Sequence, residues 1–132
     1  MGLDYGQARI GIAVCDRTRI IASPREVYKR RNISKDMGHI ARMVRENSVV
    51  GFVIGLPLSP DGTEGENCAL VRAFAEKLVK KINLPVLFYD ERFSTAAVTR
   101  SMQDAGVKRK DRQAVDDKLA AGYILQCALE ML

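Results

Sequence analysis

Apolar residues recur along this chain with two different periods, and each change of period marks a new element. Met1 to Tyr5 and Arg9 to Cys15 are short β-prone runs flanking Tyr5-Gly6-Gln7-Ala8, which reads as a hairpin whose glycine supplies a permissive backbone. Ile20 to Val27 gives a third strand, and Pro24, which cannot donate to a ladder, places it at a sheet edge. From Ser34 to Asn47 the period becomes helical, with Met37, Ile40, Ala41 and Val44 on one face and Ser34 as N-cap. Val49 to Leu56 is apolar without alternation, as expected of a central strand covered on both faces. Thr63 and Glu66 stand in capping-box spacing ahead of a helix carrying Ala69, Leu70, Ala73, Phe74 and Leu78 and ending near Ile82. Pro85 to Tyr89 reads as a short buried strand. Ser94 can then cap a helix ended by Gly106, and Asp111 can cap a last helix that runs to the end of the chain.

Three strands in a meander imply an antiparallel half, and helices between the later strands imply right-handed crossovers and a parallel half. The expected fold is therefore α/β, with a ribonuclease H-like mixed five-stranded sheet. Its first three strands are antiparallel, its first, fourth and fifth parallel, and helices cover both faces. A chain of 132 residues has the size of a single domain, and no repeat, low-complexity tract or linker divides it. Its longest strongly apolar run, Val49 to Leu58, is far too short to span a bilayer, and no secretory signal opens the chain. No membrane partner is expected, and the expected compartment is the cytoplasm.

A formal net charge of +5 favours an anionic partner only modestly. Cys15, Cys68 and Cys127 are odd in number and widely spaced, which excludes a disulfide frame or zinc site and fits reduced thiols. His39 stands without a second ligand nearby and is expected at the surface.

Three acids change the picture. Asp4 ends the first strand before a turn, and Glu91 follows Val86-Leu87-Phe88-Tyr89 at the carboxyl end of another, where open sheets gather their sites. On a helical wheel of the last helix, Asp117 sits amid the apolar stripe of Ala114, Ala120, Ala121, Ile124, Leu125 and Ala128, while Asp116 lies at its margin. A carboxylate in such a place needs a partner. Either an internal ion pair to an arginine such as Arg92 or a shared cation meets that need. Three converging carboxylates would hold Mg²⁺ or Mn²⁺ and serve phosphodiester cleavage. Asp4, Glu91 and Asp117 are thus the candidate catalytic and metal-binding residues.

Basic groups add candidates for nucleic-acid contact: Arg9 beside the first turn, Arg92 beside Glu91, and Lys108, Arg109, Lys110 and Arg112 ahead of the last helix. Arg9 and Arg92 could equally pair with Asp90 or another local acid. Lys29-Arg30-Arg31 reads as solvated loop charge. The loop from Gly55 to Glu64 and the helix start after it could receive a phosphate, but without Gly-Lys-Ser/Thr it is not a P-loop.

Together, Gly2-Leu3-Asp4-Tyr5-Gly6 with Arg9 to Val14, Val53 to Leu58 with Asp61-Gly62-Thr63-Glu64, Asp90-Glu91-Arg92-Phe93-Ser94-Thr95, and Asp117 to Ala121 with Ile124-Leu125-Gln126 resemble the YqgF (RuvX) family. The four motifs are collinear over essentially the whole chain. Members commonly carry a few residues more than Met1 and Gly2 before the first motif. The resemblance implies a ribonuclease H-like, cytoplasmic bacterial nuclease that matures the 5′ end of pre-16S rRNA, with cleavage of branched DNA at Holliday junctions proposed for some members. It also puts the catalytic acids on Asp4, Glu91 and Asp117. A monomer or weak homodimer is expected, and a nucleic-acid-binding ribosome assembly factor without catalysis is the alternative of another class.

Overall fold

The computed structural model describes residues 1–93 and 112–131, and the side chains of 1–92 and 119–130. Its strands are β1 (Gly2–Tyr5), β2 (Arg9–Cys15), β3 (Ala22–Lys29), β4 (Phe52–Leu56) and β5 (Val86–Asp90), and its helices are α1 (Ile33–Glu46), α2 (Glu66–Ile82) and α3 (Arg112–Met131). A 3₁₀ turn, Glu91–Phe93, follows β5 directly. The helix expected from Ser94 to Gly106 and the cap expected at Asp111 lie outside the described residues.

The strands form one sheet in the order β3-β2-β1-β4-β5. β1 runs antiparallel to β2 and parallel to β4, β2 antiparallel to β3, and β4 parallel to β5, as the element order requires. One consequence positions the site: the carboxyl ends of β1, β4 and β5 emerge at the same side of the sheet.

Side chains alternate between two cores. Leu3, Ile10, Ile12, Phe52, Ile54 and Leu56 pack with Met37, Ile40 and Met43 of α1 and Val71, Phe74 and Leu78 of α2. On the opposite face, Ala13 and Val53 meet Ala121, Ile124, Leu125 and Ala128 of α3. Small residues there let the helix approach closely; Ala121 and Leu125 lie directly against Gly2. β4 is buried throughout, as its unalternating sequence demands. β5 is not: it is the outer strand, and Leu87 stands exposed. Pro24 lies on edge strand β3, beside a bulge opposite Ile12 and Ala13.

Several local expectations are corrected. The N-cap of α1 is Asn32, whose side chain accepts from the Lys35 amide at 2.9 Å, two residues before the expected Ser34. Thr63 does not cap α2. Its amide and hydroxyl are held by Asp61, and Gly65 takes the cap position without a side-chain bond. Gly6 has no positive φ; what it requires is room, because a Cβ there would lie 2.8 Å from the Arg9 carbonyl oxygen. His39 is not a free surface residue, since its ring stacks on Tyr28 and its Nε2 meets Glu26. The three cysteines are free, but only Cys68 is fully buried.

Arg30 departs furthest from its expected place in a solvated run. Its Nε donates to Asp36 at 3.0 Å, and its Nη1 donates to the Tyr5 hydroxyl at 2.7 Å and to the carbonyls of Gly6 and Gln7 at 3.3 and 3.2 Å. The guanidinium also covers the Tyr5 ring, 4.7 Å from its centroid. Asp36 itself is fully buried and accepts from the Arg31 amide. This network bolts the turn between β1 and β2 onto the start of α1.

Candidate active site

Asp4 belongs to the β1 face that carries Gly2, the face covered by α3, because Leu3 between them points into the other core. It lies opposite Gly11 across the β1–β2 pair and is buried. Glu91 is the first residue beyond β5 and is 3% exposed. Register connects the two acids. Leu3 pairs with Ile54, so Asp4 comes level with the next residue, Gly55, and Gly55 pairs with Tyr89 of β5.

Gly55 is where the sheet makes room for Glu91. A Cβ built on Gly55 would fall 2.8 Å from Glu91 Cδ, closer still to its Oε1, and 2.7 Å from Ile124 Cδ1 of α3. The carboxylate therefore lies flat on the glycine, walled by an isoleucine. Burial there, followed by the negative charge of Asp90, pushes Glu91 up from the ordinary 4.5 to about 7. Asp90 moves the other way. Its carboxylate grips Arg92 at 2.7 to 3.1 Å and accepts from the Arg92 amide, and this holds its pKa below the usual range.

The third acid is placed by its helix. Gln126 of α3 accepts from Ala22 N at 2.8 Å and donates to Ile20 O at 2.9 Å, whereas Gly122 sits over Pro24. Going back along α3 is thus going forward along β3, which runs the same way as β1. Position 117 is one helical turn, about 6 Å, before Ala121, and Asp4 is about 7 Å beyond Gly2. The backbone of α3 at 117 therefore comes level with Asp4. The side chain of Asp117 lies outside the described residues, as do those of Lys108, Arg109, Lys110 and Arg112. Among the described residues, no group of three His, Cys, Asp or Glu side chains is close enough to hold an ion.

Arg9 begins β2 and, with Asp4, lines a cavity of about 300 Å³ between the β1–β2 turn and the start of α2. Arg92 is committed to Asp90 and also donates to Pro60 O at 3.3 Å, beside Gly62. It thereby ties the loop after β4 to the end of β5. Sequence reasoning missed Asn67, which lines the same cavity as Asp4, and Gly55, whose role depends on what lies above it. Neither carries a local signal.

The arrangement suits a hard cation. Asp4 and Glu91, buried at the same end of the sheet, present only oxygen donors, the kind a hard cation takes. No helix among the described residues is long and apolar enough to cross a membrane.

A family model described as RuvX, Holliday junction resolvase, matches residues 1–131. A protein of Anaplasma marginale (strain St. Maries) described as "Putative pre-16S rRNA nuclease" is 46% identical over 131 residues, covering 99% of this chain and 83% of its own. A protein of Caulobacter vibrioides (strain NA1000 / CB15N) with the same description is 47% identical over 134 residues, covering 100% and 86%. Among solved structures, T. thermophilus RuvC in complex with a Holliday junction substrate superposes with a TM-score of 0.59 at 12% identity, covering 98% of this chain and 92% of that one. A second structure, of Thermus thermophilus RuvC, gives 0.56 at 13%. At such identities the likeness is one of fold, and the fold is the expected ribonuclease H-like one.

Proposed function

The chain belongs to the RuvX family, and from that premise we propose that it is a divalent-metal-dependent nuclease that hydrolyses phosphodiester bonds in maturing the 5′ end of the 16S rRNA precursor. The observation that carries this reading is the seat of Glu91, a carboxylate laid on Gly55 at the same end of the sheet as Asp4. Relatives described as pre-16S rRNA nucleases, alike over nearly the whole chain, support the substrate.

Asp4, Glu91 and Asp117 would hold the metal, Mg²⁺ or Mn²⁺ by donor chemistry. When bound, the metal would supply Lewis acidity toward the scissile phosphate and would lower the pKa of a water so that its hydroxide form is available to attack. The chain's own residues prepare the place. Ile124 and Gly55 exclude water from one side of Glu91, which raises its proton affinity, so at neutral pH this carboxyl would give up a proton on taking a cation. Arg92 pairs with Asp90 and keeps that second carboxylate tied to the neighbouring loop. Arg9, at the cavity beside Asp4, would meet a phosphate of the strand. Lys108, Arg109, Lys110 and Arg112 would continue that track before α3. The place of action is the cytoplasm, where the precursor is processed.

The family's description favours a second reading, a resolvase acting on branched DNA, which would call for a symmetric dimer rather than a monomer or weak homodimer. A side-by-side assay decides between them, with a precursor rRNA fragment and a four-way DNA junction as substrates and Mg²⁺ or Mn²⁺ as metal. Cleavage of the precursor, abolished by EDTA and by Asp4→Asn, is the expected result. Preference for the junction would establish the second reading. Binding without any product even when Mg²⁺ or Mn²⁺ is supplied would instead make the protein a non-catalytic assembly factor.

A further inference from the structure

We infer that the cavity beside Asp4 is a nucleotide subsite that takes one unpaired base flanking the phosphate to be cut; the inference rests on the nuclease reading above. The cavity, of about 300 Å³, opens between the turn that follows β1 and the first turns of α2. That is the small end of ligand pockets, room for one compact planar group. Asp4 is among its lining residues and the cavity opens at the carboxyl end of β1, so a nucleotide held there lies at the same end of the sheet as the carboxylates.

The lining has the chemistry of a base site. Leu70, Val71 and Pro57 supply an apolar wall, and Leu70 is left 37% exposed on it. Gln7 of the turn and Asn67 of α2 are both among the lining residues, and a carboxamide, being both donor and acceptor, can pair with a base edge without demanding one base identity. Arg9 adds the cation that a neighbouring phosphate needs.

The pocket is also built in advance. Arg30 holds Tyr5, Gly6 and Gln7 through three hydrogen bonds and is itself held by Asp36. Tyr5 stacks on Phe74 of α2 with ring centroids 4.4 Å apart, joining the two walls, and Cys68 donates to the Pro57 carbonyl at 3.2 Å. A turn braced in this way does not have to be ordered when a ligand arrives. A base can enter such a pocket only when it is unpaired and turned out of its stack. The subsite therefore selects phosphates next to single-stranded nucleotides and tolerates any base there.

The test uses single-stranded oligoribonucleotides carrying one abasic residue at successive positions around the cleaved bond. Affinity is read by fluorescence anisotropy with the metal chelated, and cleavage is read in parallel. At one position within about two nucleotides of the bond, removing the base should weaken wild-type binding by about tenfold. Leu70→Trp, which fills the cavity, and Asn67→Ala, an exposed truncation that leaves folding alone, should weaken binding of the intact strand and add nothing further on the abasic one. Equal penalties on the intact and abasic strands, or no sensitive position at all, would overturn the subsite. Affinity needs no turnover, so absence of cleavage counts only against the nuclease reading.

Discussion

Asp36 and Glu91 are both buried carboxylates, yet their surroundings move them in opposite directions. Burial alone raises Asp36, but the Arg31 amide, the Arg30 guanidinium and the Tyr28 hydroxyl outweigh it and hold its pKa low. Glu91 lies on Gly55 and Ile124 beside the charge of Asp90, and is raised to about 7. Asp36 is a structural ion that serves the turn carrying Asp4 and Arg9. Glu91, on the reading proposed above, is the carboxyl that would take a cation. Burial marks neither role; the groups around the oxygens do.

Four changes would break or sharpen that contrast. The largest effect is expected on turnover. Glu91→Gln, Asp4→Asn and Asp117→Asn should each lower cleavage of a precursor fragment at least about a hundredfold, with unchanged circular dichroism, whereas Asp36→Asn should leave folded molecules active. Next is stability. Asp36→Asn leaves the Arg30 guanidinium half-buried against a neutral group and should cost about 3 kcal/mol in urea denaturation. A loss under 1 kcal/mol would remove Asp36 from its structural role.

The third change concerns pH. The folded state holds the Glu91 proton more tightly than the unfolded chain, so this group's contribution to stability is complete below pH 4.5 and declines as pH rises to about 7. The Asp36 contribution has the reverse sense, being present above the ordinary carboxylate range and lost only in stronger acid. In the metal-free protein, Glu91→Gln should thus stabilise by on the order of 2 kcal/mol at pH 8 and by almost nothing at pH 4.5. A pH-independent change would show that the carboxyl is not strained by its site. The smallest effect is expected at Asn32→Ala, which removes the cap of α1 and should cost about 1 kcal/mol in thermal melts, with cleavage unaffected.

Much of this was legible in the chain. The unbroken apolar run of β4, the glycine turn between β1 and β2 and the helical stripe of Ala121, Ile124, Leu125 and Ala128 gave the sheet order and one face of α3. Asp4 near the end of one strand and Glu91 just beyond another pointed to one end of that sheet. The contrast between Asp36 and Glu91 was not legible, because it depends on partners distant in sequence. Arg30 looks like one charge in a basic run until folding brings Tyr5 and Asp36 to it. Gly55 looks like a strand glycine until Glu91 arrives from β5. Asn32 and Ser34 are both good capping residues two positions apart, and only backbone geometry separates them. Thr63 satisfied a capping pattern, but Asp61 competes successfully for it.

The central claim is that Asp4, Glu91 and Asp117 together hold one divalent site. Calorimetric titration of Mn²⁺ at pH 7 into the wild-type protein and the three single amide variants tests it most directly. The account predicts saturable binding with proton release in the wild type, and loss of that binding in each variant. Unaltered Mn²⁺ affinity in Asp117→Asn, with Asp4→Asn and Glu91→Gln impaired, would contradict it.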